Sequence, residues 1–80
     1  MKARVYVTLK PGVLDPQGKA IQGSLHSLGF SGVESVRLGK FFEISLSSTD
    51  AKSAETELSR MCEKLLANTV IEKYRVEILP

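Results

Sequence analysis

The sequence predicts a single α+β domain in the order β-α-β-β-α-β. Three observations carry that prediction. Apolar and polar residues alternate near both ends and in the middle of the chain. Two other stretches repeat their apolar residues at the spacing of one helix face, and glycine, proline or aspartate stand at the junctions. Eighty residues hold one domain with a small core.

In residues 3–9, ARVYVTL, Val5, Val7 and Leu9 alternate with Arg4, Tyr6 and Thr8, which describes a strand with one buried face. KPGVLDPQG follows as a strand-to-helix connection. Gly12 permits the turn, Asp15 suits an N-cap, and Pro16 fits the first helical position, where a missing N–H costs nothing. Ile21, Leu25 and Leu28 then mark a helix from Pro16 to Leu28, closed by Gly29. Gly18 and Gly23 inside it each cost about 0.5–1 kcal/mol, and a close backbone contact would account for either.

Residues 33–38, with Val36 and Leu38 on one face, form the predicted second strand. Gly39-Lys40 suits a tight hairpin into a third, whose buried set is Phe42, Ile44 and Leu46. A second helix is predicted from Ala51 to Ala67, capped by Thr49 or Asp50 and ended by Asn68. Ala54, Leu58, Met61, Cys62 and Leu65 share its inner side, and Glu57–Arg60 and Arg60–Glu63 are spaced as ion pairs outside. Tyr74, Val76 and Ile78 alternate with Lys73, Arg75 and Glu77 in the fourth strand. Two crossover helices on one face of a four-stranded antiparallel sheet make a ferredoxin-like arrangement.

Composition narrows the function. The chain is 42% hydrophobic and 25% charged, and no apolar run approaches the roughly 20 residues of a membrane span. MKARVYVTLKPG does not read as a signal peptide, and one cysteine rules out an intramolecular disulfide, so a reducing cytoplasm is expected. Residues 1–40 carry six Lys or Arg against two acids, and residues 41–80 five against seven, an asymmetry too small to imply nucleic acid.

Reactive groups are sparse. His26 falls opposite the apolar stripe of its helix, and Cys62 reads as a buried structural thiol. Asp15 and Asp50 occupy cap positions, and neither a phosphate loop nor a metal-ligand cluster is visible. VYVTL loosely matches an RNA-binding strand, but GKFFEISL is a poor partner and Glu43 shares its open face. The open sheet face and the small core point instead to self-association. Tyr6, Phe41, Leu66 and Ile71 are the candidates for a homodimer interface, with pairing of dimers into a tetramer left open. An ACT-like regulatory module binding a small molecule at a subunit interface is the alternative.

The sequence also resembles the PurS family, the small subunit of phosphoribosylformylglycinamidine (FGAM) synthase. Val5, Val7 and Leu9 with KPGVLDPQG, then LGF at 28–30, VRLGK at 36–40, Glu43, CEKLLAN at 62–68 and VIE at 70–72 carry the likeness over nearly the whole chain. GVLDPQG and VRLGK together are highly specific. Thr69 departs from the proline that family members often have there, which alters the turn before the last strand.

The resemblance implies a subunit without an active site. It would bridge the glutaminase subunit PurQ and the synthetase subunit PurL, supporting ammonia transfer between them. In that reaction formylglycinamide ribonucleotide, glutamine, ATP and water become FGAM, glutamate, ADP and phosphate. ATP, Mg2+ and glutamine would be used by the partner subunits, with no cofactor, metal, nucleic acid or membrane bound by this chain. Holding two active sites in register would raise the effective concentration of ammonia, which water otherwise dilutes and protonates. The expected docking surface comprises Lys10, Pro11, Gly12, Val13, Leu14, Asp15, Pro16, Gln17 and Gly18 with Arg37, Gly39 and Lys40. Arg37 and Lys40 are suited either to pair with carboxylates on a partner or to shape its nucleotide-bound state, and the sequence does not choose between the two.

Overall fold

The computed structural model describes residues 1–79. Along the chain lie β1 (Lys2–Leu9), α1 (Pro16–Ser27), β2 (Gly39–Ser45), α2 (Ala51–Met61), a π turn (Cys62–Leu66) continuing α2, and β3 (Glu72–Leu79). The strands form one antiparallel sheet in the order β2-β1-β3. Val5 stands opposite Phe42 on one side and Val76 on the other, so the alternating apolar residues of all three strands share a face. Against that face pack Leu58 and Cys62 of α2 and its π turn, and with Ala3, Val5, Val7 and Ala67 they form the buried core.

α2 begins where expected. The Asp50 carboxylate accepts from the backbone N–H groups of Lys52 and Ser53, both at 3.3 Å, and from the Ser53 hydroxyl at 2.7 Å. It ends differently. The Ala67 N–H reaches back five residues to the Cys62 carbonyl at 3.0 Å, and the widened turn shifts the side-chain phase. Leu66 therefore follows Cys62 onto the core, while Leu65, expected inside, is 83% exposed. The Glu57–Arg60 and Arg60–Glu63 ion pairs do not form among the described residues, whose salt bridges are Arg4–Glu77, Lys40–Glu72 and Arg75–Glu77.

The expected four-stranded sheet is three-stranded, because residues 33–38 join no ladder. Their backbone is engaged by α1 and its cap instead. His26 Nε2 lies 2.7 Å from the Val33 carbonyl, Gln22 Nε2 donates to the Glu34 carbonyl at 3.4 Å, and the Leu38 N–H donates to Asp15 at 2.7 Å. Without that strand Gly39-Lys40 is no hairpin. Gly39 opens β2 at ordinary φ, and its missing side chain admits the Val7 carbonyl, which a Cβ would meet at 2.6 Å.

The expectation that both helices cover one face also gives way. α2 packs on β3, whereas α1 lies against no strand to any extent. The molecule is 48 Å long and 14 Å thin, with a radius of gyration of 15.9 Å. A compact domain of this length would have roughly 12 Å. Ile21 on α1, Leu28 at its C-cap and Phe30 just beyond are 39%, 73% and 58% exposed. Where α2 and its π turn meet β2 lies an open groove of about 450 Å³ lined by Ile44, Glu57, Arg60, Met61, Lys64, Leu65 and Leu66.

Candidate functional site

Three segments meet at one end of the sheet: residues 10–18 after β1, residues 36–40 leading into β2, and residues 68–72 leading into β3. The first begins with a tight turn, closed by the Val13 N–H donating to the Lys10 carbonyl at 3.1 Å. Gly12 sits in it at φ 87°, a left-handed conformation that a side chain would strain. Asp15 then caps α1, its Oδ1 accepting from the Gly18 N–H at 2.8 Å. Its Oδ2 accepts from the Leu38 N–H at 2.7 Å, so one carboxylate serves two segments. Asp15 is the one buried charged side chain among the described residues, 7% exposed. The hydrogen bonds from Leu38 and Gly18, with the Arg37 guanidinium as a smaller influence, hold its carboxyl below the ordinary value of 3.8.

Arg37 closes the same junction from outside. Its Nη1 donates to the Val13 carbonyl at 2.9 Å and its Nη2 to the Lys10 carbonyl at 3.2 Å. Gly18 lets α1 approach the second segment closely: a Cβ there would strike the Val36 carbonyl oxygen and come within 2.8 Å of the Asp15 carboxylate. That contact accounts for a glycine in the helix. At Gly23 no neighbouring atom explains the glycine.

Residues 68–72 join through Lys10 and Glu72. The Lys10 N–H donates to the Ile71 carbonyl at 2.9 Å, and its ammonium to the Thr69 carbonyl at 2.7 Å. Lys40 Nζ lies 3.6 Å from Glu72 Oε2, while Glu72 Oε1 accepts from the Asn68 N–H at 2.7 Å. Sequence reasoning left Glu72 and Thr69 out of the site. Their family-like surroundings were the available signal, and only the fold brings them to Lys10 and Lys40.

The arrangement thus unites Lys10, Val13, Asp15, Gly18 and Arg37 through their own hydrogen bonds, with Lys40 tied to the neighbouring Glu72 by an ion pair. Pro11, Gly12, Leu14, Pro16, Gln17 and Gly39 lie exposed around them, Leu14 at 83%. Arg37 and Lys40, suited by sequence to meet a partner's carboxylates, already hold carbonyls and a carboxylate of this chain.

The self-association candidates separate in space. Tyr6 and Phe41 stand together on the outer sheet face, ring centroids 5.2 Å apart, with the Arg75 guanidinium 4.2 Å above the Tyr6 ring. Leu66 belongs partly to the core, and Ile71 lies among the loops at the sheet end, 40% exposed. His26 is exposed on α1, and Cys62 is fully buried, its thiol pushed above the ordinary 9.0 by burial and then by Glu63. Among the described residues no three His, Cys, Asp or Glu side chains gather in a way that would hold a metal ion, and no helix is long and apolar enough to cross a membrane.

Comparison with known proteins places these features in a family. Residues 2–80 match the family model described as PurS, phosphoribosylformylglycinamidine (FGAM) synthase. The chain is 53% identical to the PurS subunit of Synechocystis over 94% of its length and 75% of that protein. It is 51% identical to that of Bacillus subtilis over 96% and 90%. Among solved structures, Bacillus subtilis PurS superposes with a TM-score of 0.88 at 49% identity, covering 99% of this chain and 98% of that one. A chain of PurLQS from Thermotoga maritima gives 0.89 at 31% identity, covering 98% and 95%.

Proposed function

The chain belongs to the PurS family of phosphoribosylformylglycinamidine synthase, a ligase complex of purine biosynthesis, and we propose that it serves there as a non-catalytic bridging subunit. On this reading it docks to the synthetase and glutaminase subunits through residues 10–18 and 36–40, keeping their active sites in register for ammonia. ATP, Mg2+ and glutamine are handled by those partners, in the cytoplasm. The observation that carries the reading is the braced junction at the sheet end. Its polar side chains are spent on backbone carbonyls and N–H groups, so it offers a fixed shape rather than a free acid, base or nucleophile. The Thermotoga maritima PurLQS structure, which contains a chain of this fold, supports a role in such an assembly.

The same reading includes a homodimer. The α1 stripe and the vacant groove beside β2 are both apolar, and each lacks in its own chain the neighbour it needs. A second copy supplies both.

Size-exclusion chromatography tests the bridging role, with both partner subunits, glutamine and Mg-ADP present, with and without this chain. A larger species and glutamine-dependent synthesis that appear only in its presence are expected. Partners that assemble and turn over equally well without it would overturn the reading.

A further inference from the structure

Residues 10–38 leave the sheet and return to it at one place. Thr8 and Gly39, close to the two ends of this excursion, stand opposite each other in the β1–β2 ladder. What lies between is an arm hung from two neighbouring points. The arm has bonds of its own: the Phe30 N–H donates to the Leu25 carbonyl at 2.9 Å, and His26 and Gln22 reach the carbonyls of Val33 and Glu34. Its helix, α1, makes no extensive contact with any strand. Such an arm would swivel on its two connections, but its base is clamped. The Asp15 carboxylate joins Gly18 to Leu38 from inside, and the Arg37 guanidinium grips the Val13 and Lys10 carbonyls from outside. Gly18 has no room for a methyl group against the Val36 carbonyl. Lys10 ties the same base to the sheet end through the carbonyls of Ile71 and Thr69.

Held this way, α1 stands off its own sheet with Ile21, Leu28 and Phe30 uncovered. The same chain leaves open the groove at Ile44, Met61, Leu65 and Leu66, where Leu65 is 83% exposed. One chain thus carries an apolar helix face without a seat and a seat without a helix. Two copies related by a two-fold axis satisfy both at once, each arm lying in the other's groove. Both arms must reach together, and an arm already fixed in angle loses less freedom on pairing.

We infer that the arm of one copy seats α1 in the groove of a second copy, and that Asp15 and Arg37 are positioning residues that fix the angle at which it reaches. This rests on the homodimer reading and deepens it. The second copy occupies both faces, and two clamps that belong to neither face govern the pairing. Because both clamps hold one base, loosening either frees the same swivel.

Sedimentation equilibrium of the full chain gives the dimer dissociation constant for wild type, Asp15→Asn, Arg37→Gln and the double variant, with circular dichroism verifying the fold. Arg37→Gln changes an exposed side chain, so the test stands if Asp15→Asn fails to fold. Each single variant is expected to raise the constant about tenfold or more, and the double variant little further. Leu65→Glu, in the groove, should weaken the dimer by at least as much. A second readout separates positioning from general loosening of the fold. Nitroxides on Ser24→Cys in α1 and Ser45→Cys in β2 report the arm's angle within one chain when labelled chains are diluted into unlabelled ones. Cys62 is fully buried, which confines labelling to the introduced thiols. The dipolar distances should be narrowly distributed in wild type and broad in Arg37→Gln.

Folded single variants that dimerise within twofold of wild type would overturn the inference. So would a weakened dimer whose distances stay narrow, penalties that multiply in the double variant, or a Leu65→Glu dimer of wild-type strength. Failure of the homodimer reading shows separately. Wild type would sediment as a monomer, or Ile21→Glu with Leu28→Glu would leave the dimer intact, and this inference would fall with it.

Discussion

Asp15 and Asp50 do similar work at the starts of the two helices. Each caps a helix through backbone N–H groups, and each carboxyl is held below 3.8, by Leu38 and Gly18 in one case and chiefly by the Ser53 hydroxyl in the other. A carboxyl depressed in the folded state binds protons more readily once unfolded, so its stabilisation is present above the unfolded value. It is lost as pH falls through the folded one. The melting temperature should hold from pH 7 to about 4 and then drop, and Asp15→Asn should flatten that drop while lowering stability at neutral pH. Thermal melts across pH 2–7 measure both, and an unchanged acid limb would refute the role of Asp15. Cys62 offers a second residue-level prediction. Fully buried, with its thiol pushed upward by burial and Glu63, it should react with an aromatic disulfide only after unfolding. Fast reaction in the native protein would mean that the end of α2 opens. Residue by residue, local chemistry was legible: both caps and the buried thiol follow from sequence. The second bond of Asp15 was not, since Leu38 is 23 residues away and no local rule brings it near.

At the scale of elements, the two departures from expectation have definite physical causes. The segment 33–38 alternates only weakly, and its Val33 and Glu34 carbonyls meet His26 and Gln22 of α1 rather than a neighbouring strand. Alternation reports which face of a strand would be buried, and it is blind to a neighbouring helix competing for the backbone. At the end of α2, both an α and a π continuation fit the run CEKLLAN, and the difference decides which leucine is inside. Leu66→Ala should cost about 1–3 kcal/mol, as expected for a partly buried apolar side chain. Leu65→Ala should stay within about 0.5 kcal/mol for the isolated fold. Chemical denaturation of both variants, made monomeric by dilution, distinguishes the two registers. A larger loss for Leu65→Ala than for Leu66→Ala would restore the regular helix read from the sequence. The strands β1, β2 and β3 were legible because each pairs a clear two-residue period with a buried face in its own chain.

The whole molecule is where single-chain reasoning stops, because the sequence patterns α1 for burial and the chain does not bury it. Ile21 and Leu28 follow the helical spacing of an inward face, yet α1 makes no extensive contact with any strand. The periodicity marks an apolar face that this chain leaves largely uncovered. A radius of gyration of 15.9 Å agrees with a protomer whose core is completed by another copy. Burial of a large aliphatic side chain contributes about 1.5–3 kcal/mol. Ile21→Glu together with Leu28→Glu should then weaken a dimer made through this stripe by about a hundredfold or more. The double variant should sediment as a monomer at concentrations where wild type is a dimer, while its sheet, which α1 scarcely touches, keeps its circular dichroism signature. The other candidate face carries Tyr6 and Phe41, with Arg75 already over Tyr6 and Glu77 already paired with Arg4 and Arg75. Lys2, Arg4, Lys73 and Arg75 against Glu43 and Glu77 leave that face net positive, which opposes pairing it with a second copy of itself. Phe41→Glu is accordingly expected to leave sedimentation unchanged. If Phe41→Glu yields monomers and the α1 variant stays dimeric, the pairing runs through the outer sheet face, and the groove beside β2 must be filled by another subunit of the synthase.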